Sequence, residues 1–352
     1  MPSPSRLGLL PRHLRRFEPV IQAADPGQLI VLDMHAAGEP VRIALAGYPE
    51  LAGDTILAKR RAAQGFDHLR RRMNHEPRGH AGMYGVLPVA PSSRDADVAV
   101  LFTHASGYST MCGHATLAIG RWLADCADGP SGSGRSAFKL ECPCGVVDVE
   151  ADGDVTAFLS VPSFLAQADV TVETGRFGRI ACDVAYGGAY YAILAASALG
   201  FRFEATDPAA LVRTAHDLLV AARSQVMLDH PGEPDLAFLY GVILTDDASP
   251  ADPETRHVCV FGDGQLDRSP TGSGVTARIA RDVARGLPGA GTERRYVGPS
   301  GLAFTGRCHD RLTWHSRPAS IVRVAGRAHY SGLGVLIADD NDPLKNGFEI
   351  HA

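Results

Sequence analysis

Two stretches decide how this chain is read: TGSGVTARIARDVARG at 271–286 and, far upstream, MCGHATLAIGRWLADC at 111–126. Each opens on a small hydroxyl or thiol residue followed directly by glycine, Thr271-Gly272 in one and Cys112-Gly113 in the other. Each then runs on through small and aliphatic residues, with Ala277 and Ala118 at matching offsets. The pattern predicts two buried helices. The matching starts predict an internal pseudo-repeat, two lobes of similar build that present helix starts to a common cleft.

Strand patterns surround both helices. QLIVLDMHA and VRIALAG read as two strands around the turn AGEP, followed by a helical pattern over Ile56–Met73. DVAVLFTHA, FKLEC, VVDVEA, AFLSVP and RIACDVA follow as strand-like runs. In the second half DPAALVRTAHDLLVAARSQV is an amphipathic helix, with DLAFLYGVILTDD and HVCVFGDG as strands. DGPSGSGRS (128–136) reads as a surface loop.

Bulk properties exclude several classes. At 352 residues the chain exceeds one small core, and 45% hydrophobic with 21% charged residues is ordinary for a globular protein. A formal charge of −5 gives no broad basic face for nucleic acid. No run of 18 or more apolar residues predicts a membrane span. The first twenty residues lack the apolar core of a secretory signal, so the cytoplasm is the expected compartment. Their Arg- and Ser-bearing, acid-free start leaves mitochondrial targeting open. Seven cysteines spread over a long chain do not form a disulfide framework. CPCG (142–145) has no partner pair at metal-ligand spacing, and no metal site is expected.

The chemistry concentrates at the helix starts. A thiol at Cys112 would feel the positive end of the helix dipole, which favours thiolate and makes it a usable base or nucleophile; otherwise it is an inert buried cysteine. His114 adds a titratable neighbour. Gly113 and Gly272 either admit a carboxylate close to backbone N–H groups or serve helix packing alone. Asp267, four residues before Thr271, could accept a hydrogen bond from a substrate ammonium or cap its loop. EPRGHAGMYGV (76–86) could line a pocket or form a turn. Gly272–Ala277 matches a dinucleotide fingerprint on paper, but HVCVF ends too far upstream to supply its strand.

MCGH at 111–114 and DRSPTGSG at 267–274, with DMHAAGEP (33–40), EPRGHAGMYG (76–85) and VAYGGAYY (184–191), resemble the proline racemase family from about residue 28 to the C-terminus. The resemblance implies an α/β (α+β) fold similar to diaminopimelate epimerase. It has two pseudo-symmetric lobes, each wrapping strands around a central helix, and an active site in the cleft between them. The expected organisation is a disordered tail at 1–27, a first lobe at 28–184 plus 335–352 carrying Cys112, and a second lobe at 185–334 carrying Thr271. The resemblance also implies that Cys112 is an acid/base at the α-carbon of an amino-acid substrate. Gly113, Gly272 and Ser273 would hold the carboxylate, and His114 and Asp267 the ring nitrogen. No cofactor is implied, and a homodimer is plausible for the family.

Thr271 stands where a racemase has its second cysteine. Racemisation needs an acid/base on each face of the α-carbon, and a threonine hydroxyl is too weak an acid to serve. One thiolate can still remove the α-proton if the β-carbon then loses a hydroxyl. In trans-3-hydroxy-L-proline that hydroxyl lies on the same face as the α-hydrogen. The Cys/Thr pair is also what the family's trans-3-hydroxy-L-proline dehydratase branch shows. The alternatives are a proline or 4-hydroxyproline 2-epimerase and a non-catalytic amino-acid-binding protein on the same scaffold.

Overall fold

A computed structural model of the chain describes residues 10–22, 28–127 and 135–349. The chain divides into two compact units. One takes the residues through Ser109, then His114–Ala157 and the stretch from Arg327; the other takes Thr110–Gly113 and Phe158–Gly326.

In the first unit, Leu29–Ala36 and Glu39–Ala46 form a hairpin. Its turn residues Ala37 and Gly38 both have positive φ, 49° and 86°, as the tight twist-matched hairpin turn demands. Tyr84–Val89 joins Glu39–Ala46 in parallel and pairs antiparallel with Val98–His104. That strand folds back through Gly107–Ser109, and the chain then enters the Gly113–Ala127 helix. Arg135–Cys142 returns parallel to Val98–His104 and hairpins with Gly145–Asp152. The expected surface loop falls mostly on 128–134, outside the described residues.

The second unit repeats this order. Gly178–Tyr186 and Tyr190–Ala195 form a hairpin, and Leu239–Thr245 joins it in parallel. Glu254–Phe261 pairs antiparallel with that strand and folds back through Gln265–Asp267. The Gly272–Ala284 helix follows. Arg294–Val297 then returns parallel to Glu254–Phe261 and pairs with Ala303–Trp314. The pseudo-repeat expected from two helix starts therefore extends through a hairpin, a parallel strand, a fold-back, a helix and a second parallel strand.

Both helices are enclosed because their sequences are apolar or small almost all round. Ala115, Leu117, Ala118 and Ile119 are fully buried in one, and every residue of 272–280 is buried in the other. At Gly120 a β-carbon would fall 2.3 Å from the Thr156 methyl, so only glycine lets the helix lie this close to its strand.

Two features differ from the sequence-based expectation. The units change over at 157/158 and 326/327, where the expected lobes changed over at 184/185 and 334/335. Strand pairing is the reason. Phe164–Thr174 pairs along Gly178–Tyr186, which ties 158–184 to the second unit, and residues 328–336 pair along Leu29–Ala36 in the first. The expected disordered tail is also ordered over 10–22. Arg12–Phe17 forms a 3₁₀ turn and Glu18–Gln22 a short helix. Leu10 is buried on Ile30, with Leu14, Leu45, Ala46 and Leu333 packed around it. Residues 1–9 and 23–27 lie outside the described residues. Leu10→Ala should lower stability by about 2 kcal/mol, measured by urea unfolding. An unchanged midpoint would mean that this segment does not belong to the core.

Candidate active site

Gly113 and Gly272 touch. A β-carbon built on Gly113 would fall 2.4 Å from the Gly272 Cα, and one on Gly272 would fall 2.8 Å from the Gly113 Cα. Glycine at both positions is thus a packing requirement as well as an opening for backbone N–H groups. Cys112 and Thr271 each stand one residue before this contact, and both are buried. A third glycine seals the arrangement: a β-carbon on Gly187 would strike the Ser273 carbonyl at 2.3 Å. Its neighbour Gly188 accepts a hydrogen bond at 2.6 Å from Thr110 Oγ1, which anchors the approach to Cys112.

Thr271 is strained. Its φ is 53° and its ψ 84°, a left-handed conformation that a β-branched residue rarely adopts. Three hydrogen bonds hold the segment there. The Thr271 N–H donates to Ser269 Oγ at 3.0 Å, and its carbonyl accepts from the Val275 N–H at 2.8 Å. The Pro270 carbonyl lies 2.7 Å from His257 Nε2. The threonine methyl packs over Gly274, where a β-carbon would approach it to 3.1 Å. The Thr271 hydroxyl is buried and reaches no partner within hydrogen-bond geometry, although it lies near enough to Asp267 to favour that group's ionised form.

Asp267 is 2% exposed. Burial pushes its carboxyl up to about 6, against the opposing pull of the Ser269 and Thr271 hydroxyls, the Ser269 N–H and the Arg268 charge. The Ser269 N–H donates to its Oδ1 at 2.8 Å. Near neutral pH it is a desolvated carboxylate poised for a cationic partner.

Ser273 Oγ lies 2.7 Å from the Tyr191 hydroxyl. Tyr191 is completely buried, and burial raises its pKa far above the ordinary phenol value, so it stays protonated. The Gly272–Ala284 helix begins at this point, and its first N–H groups lack intrahelical acceptors, as at any helix start. With the dipole they make this end suited to a carboxylate.

The structure therefore brings Cys112, Gly113, Asp267, Thr271, Gly272 and Ser273 into one compact unit. His114 belongs to the other unit, where it is buried with its ring edge-on to Tyr84 at 4.8 Å between centroids. Of two weaker candidate stretches, one is a turn and the other runs from a turn into the Tyr84–Val89 strand. CPCG is a hairpin loop, with Cys142 paired to Gly145. In EPRGHAGMYGV, Arg78 holds the C-terminal segment through the Ile337 carbonyl and Asp342. No grouping of His, Cys, Asp or Glu among the described residues has metal-site geometry.

Sequence reasoning missed Tyr191, Ser269, His257 and Arg278. VAYGGAYY stood out as a stretch, but nothing in it singles out the last of its three tyrosines. His257 and Arg278 sit in apolar surroundings that give no sign of a polar network.

Residues 31–349 match the family described as proline racemase. The chain is 44% identical over 346 residues to the human protein named trans-3-hydroxy-L-proline dehydratase, covering 94% of this chain and 97% of that one. It is 45% identical over 332 residues to the mouse trans-L-3-hydroxyproline dehydratase, covering 91% and 94%. The fold superposes with a TM-score of 0.84 and 26% identity on a hydroxyproline epimerase from Agrobacterium vitis with bound trans-4-OH-L-proline, covering 92% and 95%.

Asp267→Asn should stabilise the protein while removing the charge. The folded-state value of about 6 lies above the ordinary 3.8, so ionisation favours the unfolded chain as pH rises through that window. The variant should match the wild type near pH 4 and exceed it above pH 7, by up to about 3 kcal/mol. Melting curves at pH 4 and pH 8 measure this. A variant less stable at pH 8 would show that the hydrogen bonds to the carboxylate outweigh its burial.

Proposed function

The chain belongs to the proline racemase family, and from that premise we propose that it dehydrates trans-3-hydroxy-L-proline to Δ1-pyrroline-2-carboxylate with Cys112 as its single base. The observation that carries the reading is Thr271. It occupies the position opposite the Cys112–Gly113 helix start, directly before the touching glycine, and offers a hydroxyl that neither accepts nor returns a proton at the α-carbon.

The reaction follows from that asymmetry. The substrate carboxylate docks against the helix start at Gly272 and Ser273, with Gly113 allowing its close approach and Ser273 Oγ oriented by Tyr191. Asp267 pairs with the ring ammonium. The Cys112 thiolate takes the α-proton, and the electron pair left on the α-carbon is stabilised by the bound carboxylate. The pair then forms the α,β double bond as the β-hydroxyl leaves. Because that hydroxyl lies on the face of the departed hydrogen, the Cys112 thiol returns the same proton to it and water departs. The thiolate is restored, and the enamine product tautomerises to the pyrroline. Atoms and charge balance without an external oxidant or acid.

The human and mouse relatives named as dehydratases, 44% and 45% identical, support this choice over epimerisation, since the relative named 3-hydroxyproline 2-epimerase is 36% identical. The epimerase reading draws on the A. vitis structure and requires a second acid that Thr271 does not supply.

Proton NMR in D2O tests both readings with trans-3-hydroxy-L-proline, trans-4-hydroxy-L-proline and L-proline in separate samples. The 3-hydroxy compound should be consumed to a pyrroline while the other two keep their C2 hydrogen and configuration. Deuterium entering C2 of either with inversion would refute the one-base mechanism. Cys112→Ser should lose roughly 10³-fold in turnover and still bind substrate. Thr271→Cys should introduce C2 exchange on proline.

A further inference from the structure

Seven residues along the helix from Thr271, on the same helical face, Arg278 is 2% exposed. Burial lowers its pKa to about 10, so it remains charged at neutral pH. Asp282 and Tyr296 favour that charge, and Arg281 and Arg294 oppose it. The guanidinium lies over the Tyr296 ring at 5.2 Å. Its Nη2 donates to Thr255 Oγ1 at 3.0 Å, and its Nη1 meets His257 Nδ1 at 2.8 Å. Thr255 and His257 are two apart on one strand and so face the same side.

The bonds fix the histidine tautomer. A guanidinium has only donors, so His257 Nδ1 accepts. The proton of the neutral ring is then on Nε2, which donates to the Pro270 carbonyl at 2.7 Å. Burial first, then the Arg278 charge, drive the His257 pKa down to about 3, so the ring stays neutral throughout the working range. Across the same peptide group, the Thr271 N–H donates to Ser269 Oγ. The Ser269 N–H donates to Asp267 Oδ1 at 2.8 Å, and the Ser269 side chain lies near enough to favour the ionised carboxylate. Donor and acceptor directions agree at every step from Arg278 to Ser269, the residue whose N–H and side chain meet Asp267, and in such a chain each bond polarises the next.

The geometry points to Arg278 and His257 as positioning residues that clamp the strained Pro270–Thr271 peptide and hand the polarity of a buried cation toward Asp267. Neither residue is required to touch substrate. The pair counters the cost of keeping Asp267 ionised in a dry site, and it holds the backbone from which Thr271 is displayed. This role bears on the free protein, and only its consequence for catalysis rests on the dehydratase reading.

Among the described residues, Arg268, Tyr191 and Cys259, which pairs with it in register, are further titratable groups near Asp267. They are unchanged in the variants that test the relay. The probe is the carboxyl ¹³C resonance of Asp267 in protein labelled at aspartate, assigned by its loss in Asp267→Asn. His257→Asn keeps an acceptor for Arg278 but removes the donor to Pro270. Its Asp267 midpoint should rise by about half a pH unit or more. His257→Gln, which places a donor near the Nε2 position, should restore most of that shift. Arg278→Gln keeps a donor toward His257 without the charge and should also raise the midpoint. Midpoints equal to the wild type in His257→Asn and Arg278→Gln would overturn the proposal, whatever happens to melting temperature. If His257→Asn does not fold, Arg278→Gln decides the matter by the same criterion. A shifted midpoint in a protein that turns over none of the three prolines would retain the relay and reject the dehydratase.

Discussion

Only a hydrogen atom fits on the α-carbons of residues 113 and 272. That steric constraint sets the geometry of everything chemical nearby. Because the two glycines meet backbone to backbone, the residues that precede them, Cys112 and Thr271, are brought to one place, and so are the N–H groups that follow. A methyl at either glycine would separate them and open the site. Gly187, pressed on the Ser273 carbonyl, and Gly274, beneath the Thr271 methyl, extend the same economy of volume around the helix start. The glycines in these motifs are therefore as much about packing as about ligand access.

Holding a β-branched residue in a left-handed conformation costs energy, and the surrounding structure must supply it. The Ser269 hydroxyl, the Val275 N–H and His257 do so by satisfying the polar groups on both sides of the Pro270–Thr271 peptide. Asp267 presents the opposite problem, a charge kept where water is excluded. Its partners in the loop and the buried cation beyond them bear on the same carboxylate. Stability is sacrificed at this one place in exchange for a preorganised acceptor, a common pattern at functional sites.

Much of the fold was legible in the sequence. Apolar, small-residue stretches announced both buried helices, and alternation marked most strands, because burial imposes those periods wherever an element packs. Ala37-Gly38 marked its hairpin by turn chemistry. The changeovers between units were not legible, since Phe164–Thr174 carries no label for the strand it will pair with. Nor was the packing of residues 10–22, where Leu10 and Leu14 join the core and His13 sets its ring against Tyr330. Within the site, the cysteine, the glycines, the aspartate and the threonine were readable as a linear motif. Tyr191, His257 and Arg278 were not, because their roles arise from side-chain partners that only the packing of separate strands against the helix brings together.

The sequence by itself determined which chemical groups are available: one thiol and one hydroxyl where a racemase has two thiols, each beside a glycine. Functional-group identity is a local, covalent property that no folding changes. Tertiary structure alone decided the states of those groups. The left-handed backbone at Thr271, the raised carboxyl pKa of Asp267, the Nε2 tautomer of His257 and the hydroxyl pair of Ser273 and Tyr191 each depend on burial and on partners supplied by other elements. Desolvation and hydrogen-bond geometry act across space, and only the folded chain fixes which residues share it.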